Sequence, residues 1–327
     1  MAMGLLVDPS FGYPLPIFGL NILDFEFRGR PDTQFALLFA GVLAAGNIQR
    51  PKLGGTPLDA SLDFFAIAPP ASDRLYVSGG ELEEERLLTW PLTTGVNLGW
   101  QYTPFQKASV QYQFRFDGFV RDRTTSETFV VPSSTTTNGL GGAWEYKRGG
   151  YSIAVNGSWF ARSSWKPWGP ADDLTVDPPR TYAKYAAHVS RDVFFNVFQK
   201  LHFNASYFGG QDLDRFSRYQ FGLFDDTRIH GVPASGVRFD RVGMLRGSYS
   251  LNIFEQYRLD LFLEQAWGQD REIDRSWRPV TGIGAAVNLR APWNTILRAD
   301  VGKSFLPDVY RDVGSVVFQV MLLKPLK

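Results

Sequence analysis

At 327 residues the chain is long enough for two ordinary domains or for one large β-barrel. Its 34 Lys and Arg stand against 33 Asp and Glu, so no bulk charge argues for a nucleic-acid partner or a polybasic membrane anchor. With no cysteine, a disulfide framework, a Cys-based zinc site and a thiol nucleophile are excluded.

The chain opens on "MAMGLLVDPSFGYPLP", which has neither the basic start nor the sustained apolar stretch of a signal peptide. Residues 1–16 are read as an N-terminal lead, a remnant of preceding strands, and residues 17–327 as one barrel domain. A first strand is expected near 17–28. The apolar run "FALLFAGVLAAG" that follows is too short for a transmembrane helix, and 34–47 is read as one strand, with another at 58–69. From there the alternation is plain. Leu88, Trp90, Leu92, Val96, Leu98 and Trp100 share one face, and Thr89, Thr93, Asn97 and Gln101 the other. In the next segment Val110, Tyr112, Phe114 and Phe116 oppose Gln111, Gln113, Arg115 and Asp117. This is the period of two of a strand whose faces meet different surroundings.

Further strands are expected near 86–103, 109–121, 139–147, 150–162, 181–190, 200–209, 240–251, 256–268, 279–290, 294–304 and 314–324. In the segment at 256–268, Tyr257, Leu259, Leu261 and Leu263 oppose Arg258, Asp260 and Glu264. The count is about fourteen, an even number, as single-chain outer-membrane barrels have. The segment "RFSRYQFGLF" at 215–224 is assigned to a long loop near 210–240. Many of these strands exceed the usual five or six residues of soluble sheets. Aromatics make up 15% of the chain and cap the apolar faces as the girdles of membrane barrels do. Turns such as "YKRGGY" and "NIFEQY" are tight, whereas "RTTSETFVVPSSTTTNG" and "SSWKPWGPADDLTVDPPRT" are long and polar. Tight turns on one side and long loops on the other describe an all-β, antiparallel transmembrane barrel. A soluble sandwich or propeller fits less well, because no blade-length repeat appears. The mean hydropathy of −0.17 fits either, since barrel strands are apolar on one face only.

Little in the chain suggests an enzyme. His188, His202 and His230 are the only histidines, and neither HExxH nor G-x-S-x-G is present. No cofactor and no metal are expected. The acidic stretches "GGQDLDRF" and "ADDLTVD" are read as solvated loops rather than calcium sites.

The last third holds a glycine-containing loop with "RIHG", then "YSLNIFEQYRLDLFLEQA", "GIGAAVNLRAPWNTILRADVGKSF" and a terminal "VVFQVMLL". With "GLNILDFEF" and "GNIQRPKL" near the start, these stretches resemble the BamA/TamA-like outer-membrane assembly and translocation superfamily, the bacterial surface antigen family. The resemblance implies a barrel of about sixteen strands in the bacterial outer membrane, in contact with its lipids and handling client outer-membrane or secreted polypeptides. It also implies a long loop folded back into the lumen, with an arginine meeting acidic groups on the wall. The family's loop motif reads Val-Arg-Gly-Phe or similar. Here the match is Arg228, Ile229, His230 and Gly231, with Glu264 as the implied partner; "GVRF", with Arg238, is a second candidate. The other acidic position falls near Ser248 or Ser250. Arg115, Asp117, Arg258 and Asp260 are expected to face the lumen with Glu264. Two strands short of the family's number, the chain is read as a fragment in preference to a smaller closed barrel. A passive pore or transporter is the alternative to an insertion or translocation factor.

Overall fold

The computed structural model describes residues 2–9, 14–30, 32–39, 43–67, 70–172, 174, 178–221, 227–254, 256–271, 273–274, 276–291 and 295–324. Sixteen antiparallel strands close into one barrel. We number them β1 (Ala2–Val7), β2 (Leu15–Asp24), β3 (Gln34–Phe39), β4 (Leu43–Arg50), β5 (Leu58–Ile67), β6 (Leu87–Thr103), β7 (Gln106–Arg121) and β8 (Thr135–Arg148). The second half is β9 (Tyr151–Arg162), β10 (Thr181–Phe194), β11 (Gln199–Gln211), β12 (Arg241–Ile253), β13 (Tyr257–Gln269), β14 (Trp277–Ala291), β15 (Thr295–Phe305) and β16 (Val316–Leu323). Each strand pairs with its neighbour in sequence, and β1 pairs with β16 from Ala2↔Leu323 to Val7↔Phe318.

The periodicity count of fourteen is corrected by two. Within the stretch read as a lead, Ala2–Val7 pairs with both β2 and β16. The segment 34–47, read as one strand, is two strands, β3 and β4, paired from Gln34↔Gln49 to Phe39↔Ala44; residues 40–42 lie outside the described residues. The two misreadings have separate causes. Where the residues on both faces are apolar or small, a reversal leaves no break in the alternation, and a six-residue strand shows too few periods to be seen.

Connections alternate in length around the barrel. β6–β7, β8–β9 and β10–β11 turn within a few residues, whereas 122–134, 163–180 and 212–240 are long. The long loop at 212–240 contains a two-stranded pairing of Tyr219–Gln220 with Arg238–Phe239. Outward positions of the long wall expose large apolar side chains, among them Leu98, Trp100, Val110, Leu140, Val155, Trp159, Leu245 and Leu263. Such a surface suits lipid, not water. Inward positions split into two zones. Toward the tight turns they are polar, while toward the long loops Phe208, Val242, Met244, Ala266 and Val280 pack with Phe221, Ile229, Val232 and Val237 of the loop.

The face assignment carries a direct test on adjacent residues of β9. Val155 is exposed on the outside, and Asn156 occupies the opposite, lumen side of the strand. Val155→Arg is expected to lower bilayer-folded stability by about 2–4 kcal/mol if it lies near the midplane, and Asn156→Arg far less. Equal losses in urea-titrated folding into vesicles would invert the assignment.

Candidate functional site

The loop 212–240 is held at two levels. Deep in the barrel, residues 228–234 lie against the inner wall near the strands that close it. The Arg228 Nη2 donates to Asp300 Oδ1 of β15 at 3.3 Å. His230 donates its backbone N–H to Glu264 Oε2 of β13 at 2.6 Å, and its Nδ1 lies 3.0 Å from Glu264 Oε1. The imidazole stacks on Phe262, with ring centroids 4.2 Å apart, and its Nε2 is 3.8 Å from Asp300. Arg246 of β12 donates to the Arg228 carbonyl at 2.5 Å. His230 is outside the spanning strands. Burial disfavours its charged form, but Asp300 and Glu264 outweigh that and hold its pKa above the ordinary histidine value.

Glycines make this seat possible on both sides. Gly231 has φ 82°, and a β-carbon there would lie 2.2 Å from the Ser304 backbone nitrogen. Its carbonyl accepts from Ser304 Oγ at 2.9 Å. On the wall, a β-carbon at Gly282 would lie 2.4 Å from Ile229, one at Gly284 2.5 Å from His230, and one at Gly302 2.4 Å from the Gly231 nitrogen. Three missing side chains on β14 and β15 thus form a shallow groove that receives Ile229, His230 and Gly231. Farther along, the Ala234 N–H donates to Asp8 just past β1 at 2.9 Å.

The second level is a cap of buried ion pairs at the long-loop end. Arg238 binds Asp73, and Arg215 reaches the same carboxylate at 2.6 Å. Arg162 makes a two-pronged contact with Asp214, both arms at 2.9 Å, and Trp165 Nε1 donates to Asp214 at 2.8 Å. Arg218 reaches Asp270 at 3.0 Å. Arg215, Arg218 and Arg238 are all buried, and buried guanidinium groups require such partners.

The expected partners are therefore redistributed. Arg228 and Glu264 lie at one site, but Arg228 pairs with Asp300, while Glu264 binds His230 at its backbone N–H and ring. The second acid at the loop is Asp300 and not a residue near Ser248 or Ser250. It stands on the same face of its strand as Arg298, a pattern visible in the alternation of "LRADVGK". Arg238 belongs to the cap and meets Asp73. Ser250 instead hydrogen-bonds Asp260, which also accepts from Arg258 at 2.8 Å. Arg115 donates to Asp117 at 2.8 Å on the lumen side of β7. In "GGQDLDRF", read as a solvated loop, Asp214 is buried in the Arg162 pair; Asp173 and Asp177 of "ADDLTVD" lie outside the described residues. His188 contacts Ser206 at 3.2 Å and His202 contacts Asp192 at 2.6 Å, in two separate places. The groove glycines escaped sequence reading, since an inward glycine in a strand gives no sign of what approaches it.

A closed sixteen-stranded transmembrane barrel with an apolar exterior and a charged loop seated on its inner wall is the architecture of large outer-membrane barrels. In fold it is a barrel of the BamA and CdiB type. BamA from Haemophilus ducreyi, solved lacking POTRA domains 1-3, aligns over 98% of this chain and 68% of its own at 10% identity, with a TM-score of 0.62. CdiB from Acinetobacter baumannii aligns over 98% of this chain and 58% of its own at 12% identity (TM-score 0.60). CdiB from Escherichia coli aligns over 98% of this chain and 62% of its own at 15% identity (TM-score 0.66). The chain thus spans less than two thirds of either CdiB. No family model matches the sequence, and no curated protein matches it.

Proposed function

We propose that this chain is the barrel of a factor that inserts or translocates polypeptides, integral to the bacterial outer membrane. In this reading the loop 212–240 plugs the lumen, and a client strand is admitted laterally between β1 and β16. The protein acts by binding polypeptide rather than by chemical catalysis. The observation that carries the reading is the length of the seam. β1 has 6 residues and β16 has 8, against 17 and 16 for β6 and β7. A short ladder has few hydrogen bonds to break, and a freed edge is a template for an incoming strand. Transmembrane strands need about 9–11 residues to span, so the wall is shallow at the seam, as it also is at β3 and β4 with 6 and 8 residues. The likeness to BamA and CdiB barrels supports a polypeptide client. A passive pore is disfavoured by the buried ion pairs that hold loops across the long-loop mouth.

The chain has no native thiol, which makes the seam testable by cross-linking. Leu5 and Val320 are partners across it. In Leu5→Cys/Val320→Cys, oxidation is expected to abolish assembly of a client barrel in vesicles, and reduction to restore it. The control pair Val189→Cys/Ala205→Cys joins β10 to β11 in the opposite wall and should leave assembly unchanged. Full assembly with the seam locked would rule out lateral admission. Rapid solute flux through the locked barrel would favour the pore.

A further inference from the structure

Two arginines interrupt the apolar outer surface of the long wall. Arg148 of β8 and Arg191 of β10 both face outward at the tight-turn end, each directly opposite Tyr151 of β9 in the ladder. Two strand spacings separate them, about 10 Å. The Arg191 guanidinium lies 4.7 Å over the Tyr151 ring, and that of Arg148 lies 4.9 Å over Phe105. Among the described residues neither forms an ion pair. The acids beside them in sequence are engaged elsewhere: Glu145 with Lys147 at 2.8 Å, and Asp192 with His202 at 2.6 Å and Lys200 at 3.1 Å.

The height of this pair on the wall identifies its surroundings. On the outward face of β10, Tyr185 and Val189 are exposed, and Arg191 is the next outward position toward the tight turn. Arg191 and Tyr151 thus stand at the tight-turn end of the apolar outer surface. Beyond them the turn exposes Phe195, Val197 and Phe198, and the neighbouring turn exposes Phe254 at 82% of its surface with a left-handed φ of 51°. The two turns are joined by the Asn252 N–H donating to the Phe198 carbonyl at 2.8 Å. A rim of bare phenylalanines belongs in a bilayer interface rather than in water.

We propose that Arg148 and Arg191, on either side of Tyr151, form a seat for the phosphate of an anionic phospholipid in the leaflet at the tight-turn end. The proposal rests on the transmembrane reading given above. A guanidinium offers paired donors that match phosphate oxygens. A net-negative headgroup offsets part of the charge of the two arginines, whereas a zwitterionic one brings its own cation to the site. Trp144, Tyr151 and Phe105 supply apolar walls for the upper acyl chain.

The test compares the full chain with R148Q/R191Q, each folded into phosphatidylcholine vesicles doped with phosphatidylglycerol. Co-retained lipid is then counted by native mass spectrometry. The wild type should retain phosphatidylglycerol several-fold above its share of the bilayer. The double variant should lose that enrichment while keeping the folded migration of an unheated barrel on a gel. Excess inorganic phosphate should not displace the lipid; if it does, the pair is a general anion site and the proposal fails. Equal enrichment in both proteins overturns the seat and leaves the barrel reading standing. Failure of both proteins to fold into any bilayer overturns that reading and the seat together.

Discussion

Asp73→Ala is expected to release the cap at the long-loop end, with a large loss of stability. Asp73 is buried and shared by Arg215 and Arg238, which are 1% and 3% exposed. Removing it takes a carboxylate away from two buried guanidinium groups, and breaking a buried pair by deleting one partner costs about 3–5 kcal/mol. Arg215 keeps a carboxylate in Glu85 at 3.5 Å and the Glu85 carbonyl at 2.9 Å, so the figure belongs at the lower end of that range. Asp73→Asn preserves the shape and one acceptor and should lose less. The readout is limited proteolysis of residues 212–240 in the folded barrel. Faster cleavage in Asp73→Ala with unchanged strand content is the expected result, and wild-type protection would remove Asp73 from the cap.

Gly231→Val is expected to unseat the deep part of the loop while leaving the strands paired. The left-handed φ of 82° costs a residue with a β-carbon about 1–2 kcal/mol, and more for a branched one. The new β-carbon would also sit 2.2 Å from the Ser304 nitrogen and 2.3 Å from the Lys303 carbonyl carbon. Those are backbone atoms of β15, so no rotamer change relieves the contact. Gly243 is the control: a β-carbon there meets nothing within 4 Å, and Gly243→Ala should be silent. Single-channel conductance separates the outcomes. Gly231→Val should give larger or noisier openings than the wild type at equal strand content by circular dichroism. Conductance indistinguishable from wild type would mean that the glycine seat does not hold the loop.

Both substitutions act on contacts that no local pattern reveals. Asp73 and Arg238 are 165 positions apart, and Arg228 and Asp300 are 72 apart. The sequence could offer the right residue types, an arginine, a histidine and a glycine in one loop with acids on strands that follow. Which acid meets which cation depends on how far the loop descends. That depth is set by the groove at Gly282, Gly284 and Gly302, where side chains are missing on strands remote from the loop.

The sequence by itself determined the alternation, and with it the barrel class and the two faces of the long wall. A strand exposed to lipid on one side and water on the other must place its polar residues every second position, and Leu88–Tyr102 and Ser109–Arg121 record that constraint directly. Only the tertiary structure decided the strand number, the closure and the loop's partners. β1 is too short to display a period, and the reversal between β3 and β4 lies in a run apolar on both faces. Near the long loops the rule that polar residues face the lumen gives way. There Val242, Met244, Ala266 and Val280 point inward and are buried, because the folded-back loop displaces water and offers them apolar partners. Whether an inward position meets water or protein depends on residues far away in the chain, and a period of two carries no record of them.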